Sequence, residues 1–241
     1  MTGVPEIRAG DDLVELLGDA VAATAGGAAE NDIVVVASKV VSKAEGRRAT
    51  QDPTPGDESA ALALVTGFDP GQVELILSES KAVLRAALGV LVVETKHGFV
   101  CANAGVDRSN TGEAGTALLL PEDADASAER IRQGLTARFG VGLAVLVSDT
   151  FGRPFRYGLV NVAVGVAGMG AVRDYRGQLD SEGRALKGTE LAVADELCSA
   201  AELVMNKLDR VPAAVIRGYP HEPAAGSGRA LLRDPAHDYF R

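Results

Sequence analysis

The apolar positions along the chain follow two rhythms, one helical and one continuous. Leu13, Leu16, Leu17 and Val21 recur at helical spacing behind Asp11 and Asp12, acids placed where a helix N-terminus favours them, and predict a first helix that frays into the Ala/Gly-rich stretch 24–29. Asp32-Ile-Val-Val-Val-Ala-Ser38 is an unbroken β-branched run too short for a helix, and predicts a buried strand. The runs at 143–148 (LAVLVS) and 160–166 predict two more. Residues 57–88 read as helical with a break at Asp69-Pro70-Gly71. Residues 90–95 and 99–102 read as a hairpin turning at His97-Gly98, and 125–139 as a helix opened by Asp125 and closed by Gly140. In the strongest helical stretch, 189–207, Leu191, Ala194, Cys198, Ala201 and Met205 share one face, and 213–217 reads as a last short strand.

Strands and helices alternate, but the hairpin signals compete with regular strand-helix-strand units. The expected class is therefore α+β, with mixed or antiparallel sheets and packed helices. The expected organisation is one domain over 1–217, with 218–241, marked by Pro220, Pro223 and Gly226-Ser227-Gly228, as a tail or linker.

Composition narrows the function classes. Trp is absent and aromatic residues make up 4%, so small aliphatics must build the core of these 241 residues. A net charge of −9, from 24 Lys plus Arg against 33 Asp plus Glu, argues against nucleic acid or an anionic membrane as the general partner. An anionic ligand must then be met by local cations or a metal. Cys101 and Cys198 make no disulfide framework, and with His97, His221 and His237 they give no zinc-ligand spacing. The start MTGVPEIRAGDD carries no leader pattern and no apolar run reaches the length of a membrane span, so a cytoplasmic chain is expected.

The candidate chemistry sits in loops. GxxxxGK[ST] is absent, no GxGxxG lies between a strand and a helix, and the fragments at Gly140 and Gly168 are too incomplete to use, which sets aside P-loop and Rossmann folds. In 102–110, small residues let backbone approach a ligand while Asp107, Ser109 and Asn110 offer oxygens suited to a hard cation, although Asp and Asn also serve as plain turn-formers. Asp149 and Thr150 follow the strand LAVLVS, where a carboxylate and a hydroxyl can hold Mg²⁺ against phosphates; Arg153 and Arg156 add guanidiniums for phosphate or carboxylate. If Asp107 and Asp149 meet at about 4 Å, they repel by roughly 4 kcal/mol at an effective dielectric near 20, which a divalent cation relieves. Ser38, Lys39, Ser42 and Lys43 place hydroxyls and ammonium groups where the chain leaves the first strand, for phosphate or as a solvated face. Asp195 and Glu196 diverge on their helix, and Cys101 near His97 lacks an orienting carboxylate, so a packed thiol outweighs a nucleophile.

Six phrases, SKVVSKAEGR (38–47), HGFVCANAGVDRSN (97–110), LLPEDADASAERIR (119–132), SDTFGRPFRYGLVNVAVGVAG (148–168), DYRGQLDSEGRAL (174–186) and ADELCSAAELVM (194–205), occur in one order. In them the chain strongly resembles the coenzyme F420-0:γ-glutamyl ligases. The resemblance implies a GTP-dependent ligase that adds L-glutamate to the lactyl carboxylate of F420-0 or its dehydro form through an acyl phosphate. It implies a γ-linked poly-glutamate tail and an α+β homodimer. It further implies Mg²⁺ or Mn²⁺ at Asp107, Asp149 and Thr150, K⁺ as a further cation, and guanine-nucleotide contacts from Val4, Pro5, Glu6, Ile7, Ser38, Lys43 and Asn110. The stretch 205–210 is expected near the nucleotide, although MNKLDR lacks the glycine-rich character of some members. In actinobacterial relatives the ligase precedes a flavin domain, so the chain is expected to be either a stand-alone ligase or that N-terminal half. A GTP- and metal-binding regulatory module and a GTPase are the alternatives to a ligase.

Overall fold

A computed structural model describes residues 1–50, 52–109, 111, 115–152 and 156–238. The elements run α1 (Leu13–Ala25), β1 (Asp32–Ala37), α2 (Ser38–Ala44), β2 (Arg48–Ala49), α3 (Asp57–Thr66), α4 (Pro70–Ser78), β3 (Ser80–Ala87), β4 (Val90–Thr95), β5 (Val100–Ala102), β6 (Ala117–Leu118) and α5 (Ala124–Phe139). Then follow β7 (Leu143–Thr150), β8 (Asn161–Ala167), β9 (Arg173–Asp174), β10 (Glu190–Leu191), α6 (Val193–Met205) and β11 (Ala213–Ile216). The main sheet has the order β11-β1-β7-β8, with β1 parallel to β7 and the outer pairs antiparallel. A three-stranded sheet, β3-β4-β5, packs with α3 and α4 over a separate small core of Val73, Ile76, Leu91 and Val93. This is the expected α+β class.

The main sheet is apolar on both faces, which is why β1 and β7 read as unbroken runs. Val34, Val36, Val145 and Val147 pack against Leu17 and Val21 of α1 and Ile131 and Leu135 of α5. The alternating residues Ile33, Val35, Ala144 and Leu146 meet Ala194, Leu197, Cys198 and Ala201 of α6. Opposite β7, a bulge between the pairs Val147↔Gly165 and Ser148↔Ala163 leaves Val164 as the extra residue. It resets the alternation of β8, so Ala163 and Val166 face α6 while Val164 and Ala167 face α5. At Gly165 a Cβ would lie 2.2 Å from the Ala124 carbonyl oxygen, so only glycine lets α5 approach this closely.

Four expectations change. The helix read over 189–207 begins only at Val193, because Glu190 and Leu191 pair with Asp174 and Arg173 as β10 and leave Leu191 exposed. The segment after β1, taken as a polar loop, begins as helix α2. Its seven residues span under two turns, too few to show a period, and Val41 anchors it in the core. Residues 80–87 form strand β3 rather than the end of a helix. Their Ala, Lys, Leu and Arg favour helix locally, and pairing with β4 overrides that preference. Helix α5 is capped by Asp123, whose side chain accepts from the Ala126 amide, while Asp125 sits in its first turn. The tail from 218 packs on the domain: His221 Nε2 lies 3.2 Å from the Asn31 carbonyl oxygen, and Ser227 and the Gly228 amide donate to Asp125. Among the described residues no single helix is long and apolar enough to cross a membrane; α3 and α4 meet that test only as a pair bent by 114°.

Asp32, 1% exposed at the start of β1, accepts from Arg217 Nε at 2.9 Å and Nη2 at 2.7 Å and from the Ala29 amide at 2.7 Å. Burial alone raises its pKa, but these bonds and the Arg217 charge outweigh it and hold the carboxyl below its ordinary value. A lowered folded value means a stability contribution complete above the unfolded pKa of about 3.9 and lost as pH falls through the folded one. Asp32→Asn is therefore expected to flatten the fall of Tm on acidification from pH 5 toward pH 2. An acid limb as steep as that of the unaltered chain would show that the pair is not the source.

Candidate functional site

The parallel pairing of β1 and β7 ends with Ala37 facing Ser148; β1 passes there into Ser38 at the start of α2, while β7 continues through Asp149 and Thr150 against β8. Ligands of open sheets bind outside the carboxyl ends of parallel strands, and the expected residues gather at this end. Ser38 Oγ donates to Asp149 Oδ1 at 2.6 Å. Ser38 is thus set to orient the Asp149 carboxylate.

Asp107 arrives on the loop after β5. Asn103 and Ala104 hold left-handed conformations there (φ 54° and 55°), Asn103 Oδ1 accepts from the Leu91 amide at 3.0 Å, and the Ala102 amide donates to the Phe151 carbonyl at 3.0 Å. Asp107 exchanges backbone bonds of 2.9 and 2.8 Å with Leu118. Left-handed non-glycine residues cost about 1–3 kcal/mol each and persist where the surroundings fix them, as here. The carboxylate pairs with Lys39 Nζ at 2.7 Å through Oδ2, and the Ser109 amide and hydroxyl each donate to Oδ1 at 2.7 Å.

The two carboxyls are pulled apart in acidity. Burial raises Asp107, but the bonds from Lys39 and Ser109 and the Lys39 charge outweigh it and hold the group below its ordinary range. Asp149 is pushed up to about 6, chiefly by burial, with the Asp107 charge adding to the rise; the bonds from Ser38 and the Thr150 amide and the charge of Lys207 oppose it. Lys39, next to Ser38 in the chain, ties Asp107 to the same strand end at which Ser38 bonds to Asp149.

Adjacent strand residues point to opposite faces, and Thr150 accordingly engages the α6 side. Its Oγ1 lies 2.5 Å from Asn161 Oδ1 and receives the Lys207 ammonium, which also lies 3.4 Å from Glu202 Oε1. Lys43, expected to bury little, is 7% exposed and pairs with Glu6, while Val4 and Ile7 pack into the core beside α2 and Pro5 is exposed. Lys43 is thus a buried partner of the N-terminal arm, and its removal would harm the fold as well as any ligand contact. Arg156 is exposed, whereas Asn110 and Arg153 lie outside the described residues.

Asp195 accepts from the Ala163 amide at 2.8 Å, a structural role, and Glu196 is exposed. Cys101 is fully buried, and burial, with the Asp149 charge, pushes its thiol up to about 12. That excludes a thiolate nucleophile at neutral pH. Lys39 was read as a phosphate candidate, whereas Asn161, Glu202 and Lys207 escaped the sequence reading as site residues. The available signals were Asn161 heading an apolar run and Lys207 inside the 205–210 stretch.

Among the described residues no three His, Cys, Asp or Glu side chains cluster as metal ligands. Asp107 and Asp149 nonetheless offer carboxylate oxygens that fit Mg²⁺ or Mn²⁺, which usually complete their shell with water and substrate phosphate, and Thr150 offers a hydroxyl on the other face of β7. Lys39 and Lys207 flank them as point charges for anionic oxygens.

The fold and this charged pole define an α+β enzyme domain built on neither a P-loop nor a Rossmann turn. The chain belongs to the family described as F420-0:Gamma-glutamyl ligase, which matches residues 3–218. It is similar to the coenzyme F420:L-glutamate ligase of Methanothermobacter thermautotrophicus, at 47% identity over 99% of this chain and 96% of the relative. The proteins of the same name from Methanopyrus kandleri (42%; 98% and 94%) and Haloarcula marismortui (44%; 99% and 93%) are also similar. The chain is a ligase, and the readings as a regulatory module or a GTPase are set aside.

Proposed function

We propose that this ligase joins L-glutamate to F420-0, or its dehydro form, at the carboxyl ends of β1 and β7, using GTP, and extends a γ-linked glutamate tail. The observation that supports the reading is that neighbouring residues Ser38 and Lys39 at the end of β1 bond to Asp149 and Asp107 respectively. A carboxylate is a poor acyl donor to an amine, so it must first be activated, and transfer of the γ-phosphoryl group to it gives an acyl phosphate that glutamate's amine displaces. With no thiolate available at Cys101, an acyl-enzyme on that residue is disfavoured. Asp107 and Asp149 would hold a divalent cation, which supplies charge neutralisation on the transferring group, and Thr150 would offer a cation its hydroxyl from the other face of β7. Lys39 and Lys207 orient anionic oxygens, and Arg153 or Arg156 receives a substrate carboxylate or phosphate. The N-terminal residues Val4 to Ile7, with Ser38, Lys43 and Asn110, are proposed to line the nucleotide, and K⁺ to assist as a second cation.

Incubation with F420-0, L-glutamate, Mn²⁺ and either GTP or ATP tests the reading by product mass. Glutamylated product with GTP and little with ATP is expected; no product with GTP, or equal product with both, would contradict it. A homodimer is proposed as well, supported by the exposed apolar side chains Tyr157, Leu159, Val160, Leu203, Val204 and Leu208. Light scattering should then report about twice 24.8 kDa, and a fully active monomer would refute it.

A further inference from the structure

Thr150 stands in a closed ring of polar contacts that spans β7, β8, α6 and the turn after α6. Lys207 has only protons to give, so the Thr150 hydroxyl accepts from it and must send its own proton elsewhere. That proton goes to Asn161 Oδ1, 2.5 Å away. Asn161 is itself 7% exposed and held on both sides of its backbone, its amide donating to Glu202 Oε2 at 2.9 Å and its carbonyl accepting from Ser199 Oγ at 2.8 Å. Glu202 closes the ring through Lys207 at 3.4 Å.

A hydroxyl oxygen has two lone pairs. With one facing Lys207 and the proton committed to Asn161, a single lone pair of Thr150 remains to meet a cation or a phosphate-bound shell, in a direction fixed by the ring. We propose that Asn161 is a positioning residue: it draws the Thr150 proton away and so presents that lone pair, while Glu202 and Ser199 hold Asn161 in place. A freely turning hydroxyl would offer its proton to an incoming cation for part of the time; the fixed one does not. The inference rests on Thr150 being a cation ligand, and its test separates the two.

The measurement is the affinity for Mn²⁺ alone, read by electron paramagnetic resonance without nucleotide or substrate, on variants whose Tm shows them folded. Thr150→Val and Asn161→Ala are each expected to weaken Mn²⁺ binding about tenfold, the usual scale for a partner that orients a ligand. The double variant should bind no worse than Thr150→Val, because Asn161 acts only through Thr150. Asn161→Asp, which keeps the acceptor oxygen, should restore binding. Asn161→Leu, of similar volume and without an acceptor, replaces Asn161→Ala if the smaller side chain unfolds the chain. Mn²⁺ affinity within twofold of the unaltered chain in the Ala or Leu variant, with Thr150→Val weakened, would overturn the positioning role and leave Thr150 as a ligand; additive losses in the double variant would do the same. Unchanged binding in Thr150→Val would overturn both.

Discussion

Asp149→Asn and Asp107→Asn are each expected to lower turnover by about 10²-fold or more, the scale of losing one donor to a developing charge. Their effects on stability should be opposite. Asp149 is half-buried near a like charge and its carboxyl is pushed up to about 6, so its ionised form opposes folding at neutral pH. Asparagine keeps the volume and can still accept the Ser38 hydroxyl while removing that charge, and Tm should rise by an amount worth of order 1–3 kcal/mol at pH 7. The gain should shrink as pH falls through about 6 and vanish below about 3, where Asp149 is protonated in the folded and unfolded chain alike. Asp107 is the reverse case. Lys39 and Ser109 hold it below the ordinary range, so neutralising it removes favourable contacts and should lower Tm. Normal turnover of both variants at saturating Mn²⁺ would remove the pair from the chemistry. Equal and parallel shifts in Tm would refute the electrostatic account.

The second large effect concerns the tail. Asp125 accepts from the Val166 amide at 2.9 Å, the Gly228 amide at 2.7 Å and the Ser227 hydroxyl at 2.6 Å, so one carboxylate joins α5, β8 and the segment after 218. Bonds to a charged acceptor contribute about 1.5–3 kcal/mol each, and a buried amide left without a partner costs about 1–3. Asp125→Ala is therefore expected to destabilise by about 3 kcal/mol or more, the worth of at least one or two of these bonds, which for a chain of this size is roughly 6–12 °C in Tm or more. Cleavage by a protease should appear first between 218 and 227. Asp125→Asn, which retains one acceptor oxygen, should lose less. A Tm within about 2 °C of the unaltered chain for Asp125→Ala would mean that the tail is held by its apolar contacts instead.

The elements legible in the sequence are those whose pattern arises from burial along a single segment. Strands β1 and β7 are apolar on both faces and therefore unbroken, and α6 shows one apolar face over three turns. Elements that depend on distant partners were hidden. Strand β3 is a helix-favouring sequence held by β4 across two register irregularities, and α2 is too short for a period. Lys43 looked like part of a solvated charge run because its partner, Glu6, lies on a different segment; burial of an ammonium group is tolerable only with such a partner. For the site, residue types and their place at strand ends marked Asp107, Asp149 and Ser38, but their convergence could not be read from spacing. It depends on the Ala102–Phe151 bond and on the β1–β7 register, both of which join segments far apart in sequence. Asn161 and Glu202 lie inside the quoted phrases, but no residue pattern assigned them a role, since each acts through backbone and neighbouring side chains.

Under the proposed function, the substrate carboxylate is activated by phosphoryl transfer and not through the enzyme. If the carboxylate of F420-0 attacks the γ-phosphorus, a bond forms from one of its oxygens to phosphorus as the bond to GDP breaks. That same oxygen leaves with phosphate when glutamate's amine attacks the carbonyl carbon. F420-0 carrying ¹⁸O in the acceptor carboxylate should therefore release ¹⁸O-labelled inorganic phosphate in step with the amide product. Glutamylated product accumulating while phosphate stays unlabelled would contradict the account.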